Sequence, residues 1–80
     1  MTENKTKSPK GLHVLFADDE EVLQELISFE LPRLGHSVTV CPDGETALAA
    51  LQLDRYDCLI TDLDMPGMSG IDLLGKAKEL

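Results

Sequence analysis

The sequence is poor in aromatics, cysteine, histidine and positive charge, and each shortage removes a class of function. Two Phe and one Tyr stand in 80 residues, so any core must be aliphatic. Cys41 and Cys58 are seventeen positions apart, with no Cys-x-x-Cys pair and no histidine spaced to join them. That rules out a ribbon-type zinc site and leaves two buried, reduced thiols on strands as the expectation. His13 and His36 are the sole histidines, too few for a catalytic zinc centre, and are expected to be ordinary surface or strand-end residues. There is no Gly-x-x-x-x-Gly-Lys-[Ser/Thr] loop for nucleotide phosphates, and no Ser/His/Asp or Cys/His arrangement stands out. No apolar run approaches the ~20 residues of a membrane span. The N-terminus lacks the apolar stretch of a secretory signal, and a cytoplasmic setting is expected.

Basic residues are also scarce. Seven Lys and Arg face fifteen Asp and Glu, a net charge of −8. Lys5, Lys7 and Lys10 all precede Gly11, which leaves four basic against fourteen acidic residues in the rest. Nucleic-acid binding depends on cationic side chains that neutralise phosphates, so this part has no nucleic-acid partner in view. An acidic body suits a bound cation instead. The length fits one small domain, and domains of this size bury only roughly 60% of their unfolded surface.

What is present is an alternation of two periodicities. Residues 1–11 are polar, include Ser8-Pro9-Lys10, and read as a flexible N-terminal tail. Leu12 to Ala17 is a nearly continuous apolar run, the pattern of a strand buried on both faces. It stops at Asp18-Asp19-Glu20-Glu21, whose charges suit a helix N-terminus. Val22, Leu23, Leu26, Ile27 and Leu34 then recur at helical spacing. Pro32 falls in the last turn and Gly35 at the stop. Ser37 to Cys41 is a second strand and Pro42-Asp43-Gly44 a turn. Glu45 to Leu53 is a helix carrying Ala47, Leu48 and Leu51. Cys58 to Thr61 is a third strand that ends at Asp62. After a loop around Met65-Pro66-Gly67, Ser69 caps a last helix with Asp72 three residues on, its buried face marked by Ile71, Leu74 and Ala77.

The order β-α-β-α-β-α predicts an α/β fold with a parallel sheet. Right-handed crossovers and strand order 2-1-3 set the first and third strands side by side. Both then end on the edge where open α/β sheets bind ligands. Asp18, Asp19 and Asp62 would meet there. Like charges held close either share a proton or take a cation. Carboxylates and water suit a hard ion, and Mg²⁺ uses only one or two protein carboxylates. No EF-hand loop is present to suggest a dedicated Ca²⁺ site. An open cation site beside a carboxylate is equipped for phosphoryl transfer, with the carboxylate as nucleophile.

At this point the sequence resembles the response-regulator receiver family of two-component signalling. The resemblance rests on Asp18-Asp19 after Val14-Leu15-Phe16-Ala17, on Asp43-Gly44-Glu45-Thr46-Ala47-Leu48, on Tyr56-Asp57, and on Asp62-Leu63-Asp64-Met65-Pro66-Gly67-Met68-Ser69-Gly70. It runs from Leu12 to Leu80 without gaps and implies a flavodoxin-like receiver fold over 12–80. It implies that Asp62 is the phosphoacceptor, taking a phosphoryl group from a sensor histidine kinase or phosphotransfer protein in a Mg²⁺-dependent phosphorelay. Asp19 is then a direct Mg²⁺ ligand and Asp18 an acidic partner acting partly through water. The backbone carbonyl of Asp64 adds a further metal oxygen, and Pro66 and Gly70 shape the loop that delivers it. The family domain continues with two more strands and helices, which carry a switch Ser or Thr and a phosphoryl-binding Lys. By that comparison the receiver is partial here, and neither role is assigned to a residue of this chain. A third strand without its fourth neighbour presents an apolar edge, from which a two-fold homodimer is expected.

Two other functions stay open at this stage. One is a receiver-like interaction module that is never phosphorylated. The other is a phosphate-ester hydrolase with an Asp nucleophile, since Asp62-x-Asp64 has the spacing of such enzymes. The acidic pair after the first strand fits the signalling phosphoacceptor, which is not an enzyme, better than it fits the hydrolase.

Overall fold

The computed structural model describes residues 11–80; the tail expected over residues 1–11 lies outside them apart from Gly11. The elements run β1 (His13–Ala17), α1 (Glu21–Arg33), β2 (Ser37–Cys41), α2 (Gly44–Leu53), β3 (Cys58–Thr61) and α3 (Gly70–Ala77). The three strands form one sheet of order β2-β1-β3, and both pairings are parallel. The predicted α/β order is therefore the observed one.

The central position of β1 explains its composition. Val14, Leu15, Phe16 and Ala17 are all buried, because this strand has neighbours on both edges and packing on both faces. Leu15 and Ala17 join Cys41, Ala47, Met65 and Leu73 in the core, with Leu48, Leu51 and Tyr56 packed against it. The helices α2 and α3 pack on each other and supply that side. Val14 and Phe16 alternate to the opposite face. Both cysteines are free thiols, but only Cys41 is buried and Cys58 is half-exposed. Burial, and then the charge of Asp43, push the Cys41 thiol above its ordinary value, which keeps it protonated and inert.

Two helices depart from the periodicity expected of them. No residue of α1 is fully buried; Val22 is 76% and Leu26 50% exposed. The helix packs chiefly on the single strand β2, which covers only one side of an apolar stripe that wraps further round. In α3 the fully buried residue is Leu73, whereas Ile71 is 67% exposed and Leu74 is also exposed. Where α3 begins decides this: Gly70 presses on the Asp62 backbone, and that contact turns Leu73 toward the core.

The ends of the elements are set by short-range bonds. Gly35 adopts φ 97°, a left-handed conformation that glycine takes without strain. From it the Gly35 N–H donates to the Pro32 carbonyl at 3.0 Å, and the His36 N–H to the Leu31 carbonyl at 2.9 Å. That is the Schellman pattern, and it ends α1 despite Pro32 inside its last turn. The His36 Nδ1 accepts from the Leu12 N–H at 2.9 Å, and Asp57 Oδ2 accepts from the His13 N–H at 2.7 Å. These two bonds fasten the start of β1 at the edge opposite the acidic tips.

The N-cap of α2 is Asp43, whose Oδ1 accepts from the Thr46 N–H at 2.7 Å. This bond and that of the Thr46 hydroxyl hold the Asp43 carboxyl below its ordinary value. A lowered folded-state value means that the stabilisation is complete above the unfolded-state value and is lost as pH falls through the folded one. Asp43→Ala is expected to lower unfolding free energy by about 1 kcal/mol at neutral pH. The difference from wild type should shrink once the pH drops below about 4. Urea denaturation across pH 7 to 2.5 checks both; a pH-independent difference would show that the cap is not acting through its charge.

Candidate functional site

Parallel pairing puts the C-terminal tips of all three strands on one edge. Ala17 is level with Cys41 on one side and with Thr61 on the other, so the residues that follow, Asp18 and Asp62, leave adjacent strands at the same height. The backbone continues the ladder for one step: the Asp18 N–H donates to the Cys41 carbonyl at 3.1 Å and the Asp62 N–H to the Ala17 carbonyl at 2.9 Å. As a result, one carboxylate oxygen each from Asp18, Asp19 and Asp62 lie within 4.8 Å of one another.

The three carboxylates are not equivalent. Asp18 is 6% exposed, the one buried charged residue among those described; Asp62 is half-buried and Asp19 exposed. The Oδ1 of Asp18 accepts from the Glu20 N–H at 2.9 Å, and its own carbonyl accepts from Gln24 Nε2 at 2.7 Å. The Oδ1 of Asp62 accepts from the Asp64 N–H at 3.3 Å. Asp64 is exposed and its carboxylate is not in the cluster; its link to the site is through its backbone.

No Lys or Arg among the described residues pairs with these acids. Among the described residues the only ion pair is Arg33 with Glu30, at 3.0 Å. Two like charges about 5 Å apart repel by about 3 kcal/mol at an effective dielectric near 20. A cluster of hard oxygen donors, partly buried and with no counter-ion among the described residues, fits a divalent ion of the Mg²⁺ kind. The donor chemistry therefore agrees with the expected cofactor.

The loop from Leu63 to Ser69 holds the third tip in place. Met65 is 5% exposed and plugs the core beneath it. The Thr61 hydroxyl donates to the Asp62 carbonyl at 2.9 Å, and the Gly70 N–H returns to the Leu63 carbonyl at 3.2 Å. Any Cβ at Gly70 would overlap the Asp62 carbonyl oxygen. Sequence reasoning placed the three acids and Gly70 but missed Gln24 and Met65. Nothing in a single sequence separates Gln24 from a solvated helix residue. Met65, an apolar residue flanked by Asp64 and Pro66, carried a weak signal.

The family model of the response regulator receiver domain matches residues 14–80. The chain belongs to that family, the receiver domains of two-component systems. It is 36% identical over 67 residues to transcriptional regulatory protein CseB of Streptomyces coelicolor, covering 84% of this chain and 29% of CseB. It is 39% identical over 71 residues to sensor protein EvgS of Escherichia coli K12, covering 89% of this chain and 6% of EvgS. The response regulator TrrA of Thermotoga maritima, solved in complex with Mg²⁺–BeF, superposes with a TM-score of 0.79 at 34% identity, over 84% of this chain and 58% of TrrA. The chain thus spans less than a third of either of these curated relatives. Among the described residues no helix is long and apolar enough to cross a membrane.

The close approach at Gly70 has a measurable consequence. Gly70→Ala is expected to lower stability by about 1–3 kcal/mol, as overpacking does. Gly75, where an added methyl group meets nothing within 4 Å, should instead gain about 0.5–1 kcal/mol as alanine. Urea midpoints of the two variants provide the comparison, and a Gly70→Ala midpoint equal to wild type would contradict the packing described.

Proposed function

We propose that the chain is a phosphoacceptor: it takes a phosphoryl group onto Asp62 from a phosphohistidine on a sensor histidine kinase or phosphotransfer protein. The observation that carries this reading is the meeting of the Asp18, Asp19 and Asp62 carboxylates within 4.8 Å, with no Lys or Arg paired to them among the described residues. Family membership supports it, as do the Mg²⁺–BeF bound to TrrA and the sensor protein among the relatives.

In this reading Asp19, Asp18 and Asp62 hold Mg²⁺, joined by the backbone carbonyl of Asp64, with Asp18 contributing partly through water. When bound, the ion neutralises the acids and the oxygens of the incoming phosphoryl group. The chain's own contribution is placement. Asp62 Oδ1 accepts from the Asp64 N–H at 3.3 Å, which restrains the carboxylate and leaves its other oxygen without a hydrogen bond among the described residues. That oxygen attacks phosphorus in line as the P–N bond to the donor imidazole breaks; the departing nitrogen keeps the bonding pair and the product is an acyl phosphate on Asp62. The chain is a signalling domain and not a turnover enzyme. The cytoplasmic setting expected from the sequence belongs to this reading.

The outer edge of β3 is unpaired among the described residues and carries Ile60 at 43% exposure, which supports a two-fold homodimer through that edge. Sedimentation should show a mass that doubles with concentration; a constant monomer mass would remove this contact.

Incubation with a small-molecule phosphodonor is expected to label the protein only with Mg²⁺ present, and Asp62→Asn should abolish the label. Label that persists in Asp62→Asn would reassign the acceptor. Wild-type protein that takes no label but still binds a partner would favour the non-phosphorylated interaction module.

A further inference from the structure

We propose that Gln24 is a positioning residue for the acidic pair and that it sets how tightly the site holds Mg²⁺. The inference rests on the proposed metal site and adds a residue outside the cluster to it. Asp18 is tied at three points: its N–H to the Cys41 carbonyl at 3.1 Å, its Oδ1 to the Glu20 N–H at 2.9 Å, and its carbonyl oxygen to Gln24 Nε2 at 2.7 Å. The first two bonds fix the Asp18 backbone entry and its side chain. The third fixes the peptide that follows. Because a peptide unit is planar, holding the Asp18 carbonyl oxygen also orients the plane that delivers the nitrogen and Cα of Asp19.

Asp19 needs that restraint more than its neighbours do. It is exposed, and its carboxylate has no hydrogen-bond partner among the described residues, whereas Asp18 and Asp62 are each held through a side-chain oxygen. Among the described residues, the direction of the Asp19 side chain is therefore set by its backbone. Gln24 is well placed to hold this backbone: it is half-buried within α1, and its own N–H donates to the Glu20 carbonyl at 3.0 Å. The amide thus reaches back from the second turn of the helix across the β1–α1 connection. Groups that orient metal-binding residues without touching the ion typically change affinity by about 10–100-fold.

The test uses the full 80-residue chain. Gln24→Met keeps the length and removes the donor; Ser28→Gly, at an exposed position further along α1, weakens the same helix without touching Asp18. Titration calorimetry with Mg²⁺ and metal-free thermal melts are recorded for both. Gln24→Met should bind Mg²⁺ about tenfold more weakly, while Ser28→Gly melts earlier and binds as wild type does. Equal Mg²⁺ affinity in Gln24→Met and wild type overturns the proposal and leaves Gln24 a helix anchor only. Equal weakening in both variants overturns it too, because helix stability would then account for the loss. Wild-type protein that binds no Mg²⁺, or an Asp19→Asn variant that binds it undiminished, overturns the metal site itself and this role with it. If Gln24→Met does not fold, the wild-type Gln24 side-chain amide is followed by NMR during Mg²⁺ addition. It should shift with the same midpoint as the Asp19 amide, and an unmoved signal overturns the proposal.

Discussion

Parallel pairing of β1 with both of its neighbours is the constraint on which the rest depends. It aligns the strand tips at one height and so forces the carboxylates that follow β1 and β3 into one another's field. Repulsion within the cluster disfavours the fold unless something offsets it, and among the described residues no basic side chain does. Hydrophobic burial along β1 supplies the compensating stability: Leu15 and Ala17 are fully buried in the core. The acids are thus held together by packing beneath them, which leaves their charge available to an external ion.

The elements around that edge work as supports. Gly70 lets α3 begin against the Asp62 backbone, Met65 plugs the core below it, and the Asp64 N–H steadies the Asp62 carboxylate. On the β1 side, Glu20 and Gln24 hold Asp18 from the start of α1. Each contact is short in sequence, so the site is assembled from local turns placed by a long-range ladder. This division lets a domain with a small core present a pre-arranged cluster of charge.

Much of this is legible in the residues because strand and helix signals alternate cleanly. Ser37–Cys41 and Cys58–Thr61 are bounded by turn or charged residues and fall where β-branched and apolar runs predict. The meeting of Asp18, Asp19 and Asp62 follows once the strand order is known. Faces of helices were harder to read. In α3, apolar residues at 71, 73, 74 and 77 offer two competing stripes, and contact at Gly70 chooses the one containing Leu73. In α1 the apolar positions outnumber those that a single strand can cover, so periodicity overstates burial. The bond from Gln24 to the Asp18 carbonyl is invisible in sequence, since it depends on where a backbone oxygen comes to rest in three dimensions.

The proposed function requires that adjacent strand tips form one cation site beside a phosphorylatable aspartate. Backbone NMR during Mg²⁺ titration addresses it most directly. Saturable shifts confined to residues near Asp18, Asp19, Asp62 and Asp64, all with a single midpoint, are expected, and they should be lost in Asp19→Asn. Shifts absent at those positions, or scattered over the acidic surface with no common midpoint, would contradict it.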